Sequence, residues 1–147
     1  MLAVNDKAPD FKLADQNGNV LSLSDYLGRW LLIYFYPKDF TPGCTKEACS
    51  FRDNFSLYKD KLEIVGISGD SVKSHEKFAE KYELPFPLLA DPDKKTIKAY
   101  GADGIIFAKR TSFLLNPEGL IKKIYPKVDP AVHAEQIIND IDKLIFR

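Results

Sequence analysis

Apolar residues along this chain follow two rhythms. Trp30-Leu31-Leu32-Ile33-Tyr34-Phe35-Tyr36 is an unbroken apolar and aromatic run closed by Pro37, and Leu62-Glu63-Ile64-Val65-Gly66-Ile67-Ser68 is a second run nearly as continuous. Such runs predict strands buried on both faces. Helical spacing follows each of them: Ala48, Phe51, Phe55 and Tyr58 after the first, and Val72, His75, Phe78, Ala79 and Tyr82 after the second. Pro42 stands at a first helical position with Thr41 as the cap before it, and Ser71 caps a helix that runs to about Tyr82. Strand, helix, strand, helix predicts a parallel crossover.

The remaining pattern adds antiparallel edges. Phe11 and Leu13, then Val20, Leu21 and Leu23, flank the turn signal Asp15-Gln16-Asn17-Gly18-Asn19 and predict an N-terminal hairpin. Ser24-Asp25-Tyr26-Leu27-Gly28 reads as a short helical turn closed by glycine. Leu84 to Leu89 is extended and punctuated by proline, and Asp91-Pro92-Asp93 leads into a short helix ending near Tyr100-Gly101. Thr111 to Leu115 and Leu120 to Tyr125 flank Asn116-Pro117-Glu118-Gly119, a second hairpin signal. A last helix is expected from about Pro130, with Val132, Ile137, Ile138, Ile141, Leu144 and Ile145 on its packed face. The sum is an α/β protein, a three-layer α/β/α sandwich with a mixed central sheet, in one domain spanning residues 1–147.

Charge narrows the partners. Lysine plus arginine equals aspartate plus glutamate at 21 each, so no excess of positive charge favours nucleic acid or an anionic membrane, and neither partner is expected. The first nine residues lack the apolar core of a signal peptide, no later run approaches membrane-spanning length, and a cytoplasmic location is expected. His75 and His133 have no metal-ligand spacing to each other or to a cysteine, and there is no glycine-rich phosphate loop or dinucleotide fingerprint. Neither a metal nor another cofactor is expected.

The chemistry concentrates where the first strand runs into its helix, because both cysteines of the chain, Cys44 and Cys49, lie there. Cys44 falls in the first helical turn, where free amide groups and the helix dipole favour a thiolate and a depressed pKa. Positions i and i+5 of an intact helix have Cα atoms roughly 8 to 9 Å apart, too far for a disulfide. If the two cysteines bond, the start of the helix must unwind. That coupling suits a thiol that a peroxide oxidises to a sulfenic acid, which a second thiol then condenses with. Ionisation alone gains at most roughly 30-fold, about 2 kcal/mol, so positioning and charge stabilisation must supply the rest of any large rate. Thr41 offers a hydroxyl that both donates and accepts, and Pro37 offers a rigid wall without a donor. Apart from the flexible Lys38 and Lys46, the stretch has no permanent cation.

The run Pro37-x-x-x-Thr41-x-x-Cys44-x-x-Glu47 resembles the peroxiredoxin active-site motif, and the second cysteine five residues on resembles the Q-type, or bacterioferritin comigratory protein, branch of atypical 2-Cys enzymes. Gly66 to Ser71, Ser74-His75, Leu84 to Leu89 and Arg110 to Phe113 extend the resemblance over nearly the whole chain. It implies a thioredoxin-like fold and a thiol-dependent peroxidase acting on hydrogen peroxide and alkyl hydroperoxides. By the same resemblance Cys44 is the peroxidatic cysteine and Cys49 the resolving one, joined in an intramolecular disulfide that thioredoxin or a similar dithiol reduces. Pro37 and Thr41 shape the peroxide pocket, Arg110 is the missing cation, and Glu47 orients it. A monomer is expected over a dimer.

The residues taken alone leave other readings open. Cys49 could be a buried spectator, Arg110 a solvated charge at a strand end, and Thr41 and Pro37 only a cap and a terminator. A thioredoxin-type disulfide oxidoreductase shares the fold, although four residues separate these cysteines where that chemistry uses two. A redox sensor that merely exposes surface on oxidation is a third reading. The segment Gly101 to Lys109 is also shorter than the lysine- and aromatic-rich loop of many relatives, and Ile105, Ile106 and Phe107 there form an apolar cluster suited to a pocket wall or a dimer contact.

Overall fold

A computed structural model describes residues 1–145. Its seven strands are β1 (Lys12–Ala14), β2 (Val20–Ser22), β3 (Trp30–Phe35), β4 (Leu62–Ser68), β5 (Leu88–Ala90), β6 (Thr111–Leu115) and β7 (Ile121–Tyr125). They form one mixed sheet in the order β2-β1-β5-β4-β3-β6-β7. The middle strands β5, β4 and β3 run parallel, and both flanks are antiparallel. The helices are α1 (Pro42–Asp53), α2 (Phe55–Tyr58), α3 (Val72–Tyr82), α4 (Lys95–Ala99) and α5 (His133–Ile145), with a 3-10 turn at Leu23–Tyr26.

The continuous apolar composition of β3 has the predicted consequence, since alternate side chains feed two separate cores. Leu32, Tyr34 and Tyr36 face Cys44, Ala48 and Phe51 of α1, Phe78 of α3, and Ile137 and Ile141 of α5. Leu31, Ile33 and Phe35 face Ile97 of α4, Tyr100, Phe113 and the N-terminal residues Phe11 and Leu23. The arrangement is the expected three-layer, thioredoxin-like sandwich. No helix among the described residues is long and apolar enough to cross a membrane.

Several elements differ from the sequence expectation for identifiable reasons. The helix expected through Phe55 and Tyr58 breaks at Asn54, whose backbone leaves helical geometry (φ −99°, ψ 7°) while its side chain donates to the Ser50 carbonyl at 2.8 Å. The Tyr58 hydroxyl donates to the Phe51 carbonyl at 2.8 Å, so the far end of α1 is moored on both sides of the break. The last helix begins at His133, not Pro130, because Asp129 gathers Ala131 N–H on its side chain and Val132 and His133 N–H on its carbonyl in a turn. Val132 therefore lies outside the helix and is exposed, not packed. Of the extended segment Leu84 to Leu89, only Leu88 and Leu89 lie in a strand, which ends at Ala90. By contrast β4, and α3 with its Ser71 cap accepting from Ser74 N–H at 3.1 Å, stand where the pattern put them.

Candidate active site

Thr41 precedes α1 in an extended conformation (φ −77°, ψ 151°) and Pro42 opens the helix, which puts Cys44 at its third residue. Cys44 is 1% exposed, and both cysteines are free thiols. Cys49 lies on the same helix, half-buried, with its thiol pKa pushed up by burial against the opposing pull of Arg52. The helix is intact between them, so the i, i+5 separation that forbids a disulfide holds in this state.

Sheet pairing delivers the cation that the local stretch lacks. β6 runs antiparallel to β3 with Thr111 opposite Phe35, so Arg110, one residue earlier, emerges beside the end of β3 where the chain turns into α1. Its Nη2 donates to Cys44 Sγ at 3.4 Å, and its Nη1 donates to Glu47 Oε1 at 2.9 Å. Gly43 makes this approach possible, because a Cβ there would lie 2.9 Å from Nη2. Burial works against the charge on Arg110, but Cys44 and Glu47 outweigh it and raise the guanidinium pKa further. Glu47 is 1% exposed, and burial pushes its carboxyl up to about 7 despite the guanidinium beside it. Among the described residues its second oxygen, Oε2, has no hydrogen-bond partner, and neither does the buried hydroxyl of Tyr34.

Thr41 occupies the cap position, yet its hydroxyl does not accept from the helix as a cap would. It donates to the Lys38 carbonyl at 2.8 Å. With its proton so engaged, Oγ1 is left as an acceptor. Pro37 is half-buried directly after the last aromatic residue of the strand region. Phe40 sits in the left-handed region (φ +66°), packing its ring on Phe78 and Tyr82. A bulky residue there is held by its surroundings.

Sequence reasoning missed a polar cluster beneath this loop. Asp39 is buried and accepts from Tyr36 Oη at 2.6 Å and Ser74 Oγ at 2.8 Å, while its Oδ2 lies 2.7 Å from His75 Nδ1. Its backbone N–H donates to Asp70 Oδ2 at 2.9 Å. His75 is wholly enclosed, and its Nε2 lies 3.2 Å from the Leu89 carbonyl. The available signal was a histidine on the apolar face of α3, which needs partners once buried. The exposed Ile105, Ile106 and Phe107 lie at the surface, with Lys38 Nζ 6.0 Å from the Phe107 ring.

A thioredoxin-like fold that offers a buried cysteine at a helix start to a fixed guanidinium defines a thiol-dependent peroxidase. The chain belongs to the AhpC/TSA family, whose model matches residues 4–124, and within it to the peroxiredoxin Q and bcp group. A Coxiella burnetii protein carrying the peroxiredoxin bcp name is 46% identical over 146 residues, covering 93% of this chain and 97% of its own. The PrxQ of Xylella fastidiosa, solved as a cysteine-to-serine mutant, superimposes with a TM-score of 0.94 at 30% identity, covering 99% of this chain and 98% of that one. The bacterioferritin comigratory protein of Xanthomonas campestris, whose structures address alkyl peroxide reduction, gives 0.86 at 34% identity over 90% of each chain.

Proposed function

We propose that Cys44 reduces hydrogen peroxide and alkyl hydroperoxides and that Cys49 resolves the product. The observation that carries this reading is the single guanidinium donating to Cys44 Sγ at 3.4 Å and anchored on buried Glu47 at 2.9 Å. The Cys44 thiolate attacks one peroxide oxygen, the O–O bond breaks, and the second oxygen leaves as water or an alcohol after taking one proton. Arg110 offsets the negative charge on sulfur and on the departing oxygen, a fixed donor of the kind worth about 3 kcal/mol in a water-poor site. Thr41 Oγ1, its own proton held by Lys38, accepts from the peroxide hydroxyl, and Pro37 closes the wall behind it. Glu47 holds the guanidinium in place.

The Cys49 thiol then condenses with the Cys44 sulfenic acid, releasing water and forming an intramolecular disulfide, which requires the start of α1 to unwind. A dithiol reductant of the thioredoxin kind exchanges with that disulfide and returns both thiols. Nothing in this cycle requires a second copy, and we assign it to a monomer in a reducing compartment, the cytoplasm.

The test is intact mass and thiol count before and after one equivalent of hydrogen peroxide. The expected result is a monomer that loses both thiols and two mass units, with Cys44→Ser inert and Thr41→Val at least about tenfold slower. Peroxide turnover surviving in Cys44→Ser overturns the reading, and a disulfide-linked dimer overturns its resolving step.

A further inference from the structure

We propose that Asp39 and His75 are positioning residues for the peroxide step, a buried pair that sets the direction of the Thr41 hydroxyl. The inference rests on the reading of Thr41 and Cys44 given above.

The argument starts from the ring nitrogens of His75. Nε2 faces the Leu89 carbonyl at 3.2 Å, which can only accept, so Nε2 carries a hydrogen. Nδ1 faces Asp39 Oδ2 at 2.7 Å, and that carboxylate already accepts from the hydroxyls of Tyr36 and Ser74. A further proton is therefore held between Nδ1 and Oδ2, and the pair carries no net charge. That is what its burial requires, at 0% and 1% side-chain exposure. Three side chains thus converge on one carboxylate, from the end of the β3 region and from α3. The Asp39 backbone is tied separately, its N–H donating to Asp70 Oδ2, which also accepts from Ser68 Oγ at 2.6 Å.

The loop so fixed is the one that carries the pocket. Asp39 lies between Lys38, whose carbonyl accepts from Thr41 Oγ1 at 2.8 Å, and Phe40, whose left-handed backbone turns the chain into the helix. Moving Asp39 moves the Lys38 carbonyl, and with it the lone pairs that Thr41 turns toward a peroxide. The pair touches neither Cys44 nor Arg110 by hydrogen bond. Its loss should therefore reach the peroxide reaction and spare the reactivity of the thiol itself.

The experiment compares two reactions of Cys44 in the Cys49→Ser background, where one thiol reports: sulfenic acid formation with hydrogen peroxide, and alkylation by iodoacetamide, which needs no peroxide pocket. His75→Leu is expected to slow the peroxide reaction at least about tenfold and to change alkylation less than about threefold. His75→Asn, whose amide can donate to Asp39 from the place of Nδ1, is expected to recover most of the lost rate. A wild-type peroxide rate in folded His75→Leu overturns the inference, and so does an equal fall in both reactions. Should His75→Leu not fold, Asp39→Asn decides: it keeps the shape and removes the charge, and a wild-type peroxide rate in it also overturns the inference. Thr41→Val run alongside separates the two claims, since a wild-type rate there removes Thr41 from the site, whereas a slow Thr41→Val beside a fast His75→Leu sinks only the positioning role.

Discussion

Arg110 has two jobs on two nitrogens, and they fail differently. Removing Nη2 takes the donor from sulfur, and removing Nη1 leaves Glu47 buried with neither oxygen partnered. Arg110→Met should slow Cys44 oxidation about 100-fold, read by stopped-flow fluorescence, because a preorganised donor in a dry site is worth about 3 kcal/mol. An unchanged rate would remove Arg110 from the chemistry. Glu47 gives a sign that differs from the usual carboxylate. Its folded pKa of about 7 lies above the unfolded value, so the folded state binds the extra proton between the two. Stability from this group is greatest below the unfolded value and falls as pH rises toward and through 7. Glu47→Gln should therefore gain on wild type between pH 5 and 8 in urea melts, by an amount on the order of 3 kcal/mol. A difference that stays flat across that range would contradict the assignment. Glu47 was named only through the family resemblance, but both cysteines and Thr41 stood out from local spacing, because helix geometry relates neighbours in sequence. Arg110 did not, since 66 residues separate it from Cys44 and only strand pairing brings it back. Asp39 and His75 escaped for the same reason, being 36 residues apart and joined only in the fold.

Between β3 and Asn54 the chain forms one working element. Cys49 lies five residues past Cys44 on an unbroken stretch of helix, so the two thiols stay too far apart to bond while that stretch is closed. Cys49→Ser should complete one oxidation, retain a sulfenic acid that dimedone traps, and lose turnover with a dithiol reductant. Steady turnover at the wild-type rate would mean that resolution comes from elsewhere. Elements with strong ends were legible without the structure. β4 has a polar boundary on either side of an apolar run, and α3 has a serine cap matched to an apolar stripe. The start of α5 was misread because proline marks a permitted helix position without requiring one, and the Asp129 turn had the prior claim on the next three amides. The break at Asn54 was hidden by apolar spacing that runs on through it.

Taken whole, the molecule keeps the buried Cys44 over the interior of the sheet instead of at an edge. β3 is flanked by β4 and β6, and its aromatic residues form the floor on which α1 lies. The buried hydroxyl of Tyr34 has no hydrogen-bond partner among the described residues, and its ring packs against Tyr36, Phe51 and Phe86. Tyr34→Phe should leave stability unchanged or raise it by up to about 1 kcal/mol in chemical denaturation, since the substitution removes an unsatisfied polar atom and keeps the ring. A loss above about 1 kcal/mol would mean that the hydroxyl has a partner after all. The parallel middle and antiparallel flanks were foreseeable from hairpin signals and crossover length, whereas the order of strands was not, because nothing local states which edge a hairpin joins. The moorings at Asn54 and Tyr58 reach beyond architecture. They leave the helix free to open at one end only, so oxidation should write a sharp boundary into amide hydrogen exchange. Deuterium uptake should rise from Cys44 to Cys49 and stay slow from Phe51 onward, with the sheet beneath unaware that the protein has been oxidised.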